Sequence, residues 1–299
     1  MHTVAACQVR IEIDDPDATW RAVTTAMHSA AESGADVVVL PELACTGSVF
    51  RSAAEAAERA EDVHGPTADR LRRLSSELGL VVVYGFVERN PSGERPYNSA
   101  ALIDRGEIRT VYRKTHLWDT EKLIFEAGSE PAPVVGTSAG RIAVMICYDL
   151  EFPEMSRDVA LRGAQLLAVP ANWPAYPKPP GERPIEVAKA QTGAVVNRVY
   201  VAVADRCGAE RGVDWYGGSV ICDVTGYPLA GPASGEPTIL VAQIDSARAD
   251  DKRVGPHNDA FGDRRLDLAW TGAGPLLPIS RDAGANLSLA GEGGQSART

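Results

Sequence analysis

The chain has 299 residues, 44% of them apolar, with 30 Lys and Arg against 40 Asp and Glu, a net charge of −10. This composition supports a core-forming globular protein and excludes disorder as its main theme, while length alone leaves one large domain or two small ones open. The acidic balance, with no local run of Lys and Arg, argues against nucleic acid as a partner.

The opening segment MHTVAACQVRIEIDD has no basic start and no long apolar centre, so it does not read as a secretion signal, and a cytoplasmic location is expected. Residues 3–9 read as a buried strand and 20–31 as a helix, preceded by the capping-type residues Asp15, Asp17 and Thr19. A strand follows at 36–40 (DVVVL), then helices over 53–61 and 67–78, and a strand over 80–87. That last run, LVVVYGFV, is the longest apolar stretch and falls far short of the roughly 20 residues that span a bilayer, so no membrane role is expected. Runs 97–103 and 107–113 alternate apolar with polar and flank Asp104-Arg105-Gly106, the pattern of a hairpin. Regularity is lost from His116 to Pro133.

A β-branched and apolar strand is expected at 141–146, with Cys147 at its end. Pro153 suits the first turn of a helix to about Arg162, closed by Gly163, and 165–169 is the next strand. GADVVVLPEL (34–43) and GAQLLAVPAN (163–172) align without a gap, which hints at two related halves in one domain. After a proline-rich loop at 172–184 come a helix at 185–195, a strand at 200–204, and two hairpin strands around 219–222 and 239–244. The final stretch AGANLSLAGEGGQSART is Gly-, Ala- and Ser-rich and reads as a flexible tail.

Glu42, Lys114 and Cys147 each stand directly after an apolar strand, and strand ends in α/β folds line the ligand crevice. Singly, each has a bland explanation: a turn cap, a solvated hairpin end, a small core side chain. The five cysteines (Cys7, Cys45, Cys147, Cys207 and Cys222) are scattered, odd in number and lack a CxxC pair, which argues against a disulfide framework and a zinc site. Cys147 is the best nucleophile, because the helix starting at Pro153 would favour a thiolate nearby. Cys45, three residues past Glu42, is its rival, and Cys207 beside Gly208 is placed at a pocket border. His116 is either a base or a structural hydrogen-bonding group. No metal-ligand spacing, GxGxxG or GxxxxGK[ST] motif occurs, so neither a metal nor a cofactor is expected.

PELACTG (41–47), YRKTHLW (112–118) and CYDLEFPE (147–154) resemble, in order and spacing, the three signature segments of the nitrilase, or carbon–nitrogen hydrolase, superfamily. EKLIFEAG (121–128), PANWP (170–174), NRVYVAVADRCG (197–208), GGSVICDVTGYPLA (217–230) and DRRLDL (263–268) match as well. The resemblance implies an α/β fold, a four-layer α-β-β-α sandwich with two related halves. It implies one domain over 1–277 with a tail at 278–299, and a catalytic set of Glu42, Lys114 and Cys147 joined by Glu121, which would orient Lys114 or the substrate. Cysteine attack on a carbon–nitrogen bond would pass through a thioester, the Tyr148 backbone N–H and Lys114 meeting the oxyanion. The CYDLEFPE run looks like the amidase and ω-amidase side, so a small linear amide is the expected partner molecule. Nitrile-hydrolysing members usually carry CWE and N-carbamoyl hydrolases a CxDRR-like run, and both remain alternatives. A silent binding protein on the same fold is a third, against which the intact triad argues. Asn172 and Trp173 are expected pocket walls. Glu151, where some relatives carry Arg, leaves a neutral or cationic substrate end open. The resemblance further implies a homodimer or larger assembly, with 263–268 near a subunit contact.

Overall fold

Strand β1 (His2–Gln8) leads through helix α1 (Pro16–Glu32) to β2 (Val37–Val39) in the computed structural model, which describes residues 1–268. Helix α1 starts four residues earlier than expected because Asp15 caps it: its carboxylate accepts the Ala18 N–H at 2.9 Å, and Pro16 has no N–H to satisfy. Val23, Ala26, Met27 and Ala30, three or four residues apart, form its buried stripe. Helices α2 (Ala53–Glu58) and α3 (Pro66–Leu78) precede β3 (Val81–Glu88). The hairpin of β4 (Tyr97–Asp104) and β5 (Glu107–Arg113) turns at Arg105 and Gly106, both at positive φ, as a tight primed turn requires.

The stretch read as irregular contains one helical turn, α4 (Glu121–Ile124), and is followed by an edge strand, β6 (Val134–Thr137), that alternation in so short a run did not reveal. Then come β7 (Gly140–Val144), a 3₁₀ turn at Cys147–Glu151, α5 (Pro153–Leu161), β8 (Leu166–Ala171), α6 (Ile185–Asn197) and β9 (Tyr200–Asp205). A second hairpin, β10 (Cys207–Glu210) and β11 (Val213–Tyr216), precedes β12 (Val220–Cys222), β13 (Pro228–Ala230) and β14 (Thr238–Ile244). The expected pairing of the strands near 220 and 240 is corrected. β12 pairs with β13 and β9, whereas β14 returns to β1 in the other sheet.

Two six-stranded sheets result, ordered β14-β1-β2-β3-β4-β5 and β13-β12-β9-β8-β7-β6. In each, a parallel triplet (β1-β2-β3 or β7-β8-β9) is flanked on one side by one antiparallel strand and on the other by two. The short sequence match at 34–43 and 163–172 therefore falls on the central strands of two equivalent halves.

Period-two alternation assigns the faces of the first sheet. Val4, Ala6, Val37, Val39, Val81 and Val83 share a core with the second sheet, while Ala5, Cys7, Val38, Val82 and Tyr84 pack against Val23, Met27 and Leu71 of α1 and α3. Helices α5 and α6 cover the second sheet through Val159, Val187, Ala190 and Ala194. The layers are thus α-β-β-α. Met1–Gly262 form one compact unit, and a second begins at Asp263. The expected boundary at 277 and the tail at 278–299 lie outside the described residues.

Because β3 and β5 both run antiparallel to β4, β5 ends at the same sheet edge as β2 and β3. There the turn after β2 docks on Gly85 of β3, whose carbonyl accepts the Ala44 N–H at 3.1 Å. A Cβ at Gly85 would lie 2.3 Å from the Leu43 nitrogen and 2.8 Å from the Glu42 Cα, both backbone atoms. Gly85→Ala is therefore expected to cost about 1–3 kcal/mol through overpacking. In urea titration it should lower the midpoint with an unchanged slope.

Candidate active site

Glu42 lies in the turn after β2, Lys114 directly after β5, and Cys147 three residues past β7 in the second sheet. All three are buried, at 2%, 1% and 8% exposure, and all line one cavity of about 460 Å³. Lys114 Nζ donates to Glu42 Oε1 at 2.6 Å and to Glu121 Oε2 at 2.7 Å. Glu121, on the single turn α4, also accepts the Trp118 N–H at 2.7 Å. The backbone makes this close assembly possible. Gly128 donates to the Lys114 carbonyl at 2.9 Å, and a Cβ on Gly128 would come within 2.3 Å of the Arg113 carbonyl oxygen.

One residue that sequence reasoning missed joins the two carboxylates. Asn98 of β4, fully buried, donates through Nδ2 to Glu42 Oε1 at 2.7 Å and to Glu121 Oε1 at 2.9 Å, and its carbonyl accepts the Lys114 N–H at 2.8 Å. The available signal was a pair of adjacent polar residues, Asn98-Ser99, that interrupts the apolar–polar alternation of the strand. Both are buried, and Ser99 donates to Glu88 at 2.6 Å.

Burial pushes the Glu42 carboxyl up to about 7; the Lys114 charge opposes this and the Glu121 charge adds to it. For Lys114, burial alone would lower the ammonium, but Glu121 and Glu42 carry it well above its ordinary value. Cys147 is the correction. The expected thiolate is not favoured, because burial and the Glu42 charge outweigh Lys114 and hold the thiol well above its ordinary value. Its Sγ donates instead to the Asn172 carbonyl at 3.7 Å.

Cys147 sits at φ +45°, in the left-handed region that a residue with a Cβ rarely adopts. Asp149, fully buried, holds that turn by accepting the Ile146 N–H at 3.0 Å, the Tyr112 hydroxyl at 2.9 Å and the His116 N–H at 3.1 Å. His116 Nδ1 lies 2.8 Å from the same carboxylate, and the ring stacks on Phe152 at 3.7 Å, so His116 is structural. Asn172 and Trp173 follow β8 and line the cavity with Tyr148 and Glu151. Asp205 accepts the Trp173 N–H at 2.9 Å and so holds that wall. Glu151 is paired with Lys189 at 2.7 Å.

The other cysteines are set apart. Cys7 and Cys45 pack in the outer core beneath α1 and α3, and burial pushes both thiols up to about 12. Cys207 is buried opposite Tyr216 in the β10–β11 hairpin instead of bordering the cavity, and Cys222 lies in the core of the second sheet. Among the described residues no group of His, Cys, Asp and Glu has the arrangement of a metal site, and no helix is long and apolar enough to cross a membrane.

Comparison with known proteins adds three relatives. A nitrilase of Pyrococcus abyssi is 35% identical over 266 residues, 89% of this chain and 98% of that protein. An N-carbamoylputrescine amidase of Solanum tuberosum is 32% identical over 89% of this chain and 93% of its own length. A mutant of the amidase from Nesterenkonia sp. AN1, solved with the acetamide moiety of fluoroacetamide added covalently at its active-site cysteine, superposes with a TM-score of 0.73 at 29% identity, covering 89% of this chain and 94% of that one. The carbon-nitrogen hydrolase family model matches residues 3–253. With this match across most of its length and that fold, the chain belongs to the carbon–nitrogen hydrolase family, on the amidase side of the nitrilase superfamily.

Proposed function

We propose that the protein hydrolyses a small linear amide to a carboxylic acid and ammonia through a thioester on Cys147. The observation that supports this is the convergence of Cys147 with the hydrogen-bonded Glu42–Lys114–Glu121 chain on one partly open, aromatic-walled cavity. Glu42 takes the Cys147 proton as the sulfur bonds to the amide carbon, and the carbonyl electron pair moves onto oxygen. Lys114 has three N–H donors, two of them spent on carboxylates; the third and the Tyr148 N–H meet the oxyanion. As the carbonyl re-forms, the C–N bond breaks and Glu42 gives its proton to the nitrogen, which leaves as ammonia. Glu42 then deprotonates a water that attacks the thioester, and the expelled sulfur regains its proton. Glu121, committed to Lys114, Asn98 and Trp118, is a positioning residue in this scheme.

Three outcomes test the scheme. Cys147→Ala should lower amide turnover on the order of 10³-fold or more, and mass spectrometry should find an acyl adduct on the parent chain but none on the variant. Turnover confined to nitriles or ureido acids would overturn the amide assignment. The second outcome concerns pH. A general base must be unprotonated to accept the thiol proton, so kcat/KM should rise as pH passes upward through about 7 and level off above it, where Lys114 keeps its charge. Glu42→Gln should remove that limb together with the activity. The third concerns Asn98, whose hydrogen bond favours ionised Glu42. Asn98→Ala should move the limb to higher pH and lower kcat about tenfold, whereas a residue that served folding alone would leave the limb in place.

A further inference from the structure

Cavity charge is strongly one-sided. Among the described residues six carboxylates line it, against a single ammonium, Lys114, which Glu42 and Glu121 already engage. The four outer carboxylates are Asp119, Glu151, Glu186 and Asp214. Lys189, outside the lining, neutralises Glu151 at 2.7 Å but stands 3.9 Å from Glu186. Glu186 lies in the first turn of α6, where a negative charge suits the helix dipole, yet that role leaves its Oε2 unexplained. This oxygen is buried and has no hydrogen-bond partner among the described residues. An unsatisfied buried carboxylate oxygen is costly, and a cationic donor is the group that satisfies it best.

A second and independent sign that the cavity is built around a polar ligand comes from Asn172. It is 7% exposed, lines the cavity beside the nucleophile, and neither of its side-chain amide atoms has a partner among the described residues. The remaining walls are aromatic: Trp118, Tyr148, Trp173, Tyr176 and Trp215. Their faces attract cations. Arg206 occupies one face of Trp215 at 4.8 Å, its charge met by Glu210 at 2.8 Å, so the aromatic wall already hosts one such contact on its inner side. The wall is also fixed in place. Tyr216 donates its N–H to the Trp173 carbonyl at 3.0 Å, and Ala175 donates to the Asp214 carbonyl at 2.8 Å.

Resting on the amide-hydrolase reading above, we infer that the substrate is an amide bearing a cationic amine at the end remote from the scissile bond, and that Glu186 receives this amine against the aromatic wall. An anionic tail would meet mostly carboxylates among the charged groups of the lining, and a neutral one would leave Glu186 Oε2 unpaired. The test compares kcat/KM for δ-aminovaleramide, for hexanamide of equal heavy-atom count, and for glutaramate. The cationic amide should exceed hexanamide by about tenfold or more, with glutaramate the poorest. Glu186→Gln should reduce that preference about tenfold, Glu186→Asp should retain most of it, and Glu182→Gln, at an exposed carboxylate outside the lining, should leave it unchanged. Equilibrium binding of δ-aminovaleramide and hexanamide to Cys147→Ala repeats the comparison without turnover. A preference for the neutral or anionic amide, or one that Glu186→Gln does not change, overturns the inference. Should no amide be hydrolysed, the amide-hydrolase reading fails, and the binding comparison still decides the fate of the cationic tail.

Discussion

A lysine ammonium buried at 1% exposure between two carboxylates is the constraint around which the site is arranged. Removing these charges from water is expensive, and the loss is offset only if every member is held at short range and hydrogen-bonded. The fold meets this demand with backbone placement. β2 and β5 end at one edge of one sheet, Asn98 comes from the strand between β3 and β5, and α4 drops Glu121 onto the far side of Lys114. Gly85 and Gly128 then allow the backbones carrying Glu42 and Lys114 to approach their neighbours more closely than any side chain would permit. Each of these choices makes little sense alone; together they fix one ammonium within 2.7 Å of two acceptors.

The doubled architecture explains why Cys147, the nucleophile of the proposed reaction, arrives from elsewhere. Glu42, Lys114, Glu121 and Asn98 are all contributed by the first half, while Cys147, Asn172 and Trp173 follow strands of the second sheet. Asp149 ties the two together, since it caps the turn that carries Cys147 while accepting from Tyr112 and His116, which flank Lys114 in sequence. The cost of burying Asp149 is thereby turned into register between the sheets.

Much of this was legible because it depends on patterns the chain states locally. Apolar runs marked the strands, Pro153 and Gly163 bounded α5, and the residues just past the strands proved to be those that converge. What was not legible depends on partners distant in sequence. Asn98 looks like a solvent-facing member of an alternating strand until a carboxylate 56 residues away is known to reach it. β12 and β14 look like neighbours because each is a short apolar run, and only the return of β14 to β1 separates them into different sheets. The helix at Pro153 suggested a stabilised thiolate, yet burial and Glu42 decide the matter the other way. Proximity to a helix terminus is a weak effect beside the desolvation of a buried thiol.

In the proposed mechanism, a neutral resting thiol has a consequence for how the chemistry is coupled. With Glu42 and Glu121 ionised and Lys114 charged, the cluster carries one net negative charge. Moving the Cys147 proton to Glu42 only relocates that charge from oxygen to sulfur. A buried site tolerates relocation far better than the creation of a new ion, because the desolvation penalty is already present before the step begins. A preformed thiolate beside ionised Glu42 would instead add a second uncompensated charge to the same low-dielectric space. In the proposed scheme, nucleophile activation would therefore be tied to the moment when the substrate carbonyl can accept electron density, and the charge leaving sulfur would pass to an oxyanion within reach of Lys114. On this reading, the ammonium that holds Glu42 in place at rest also meets the charge that Glu42 helps to generate, so burial of that single lysine would govern both the stability of the site and its reactivity.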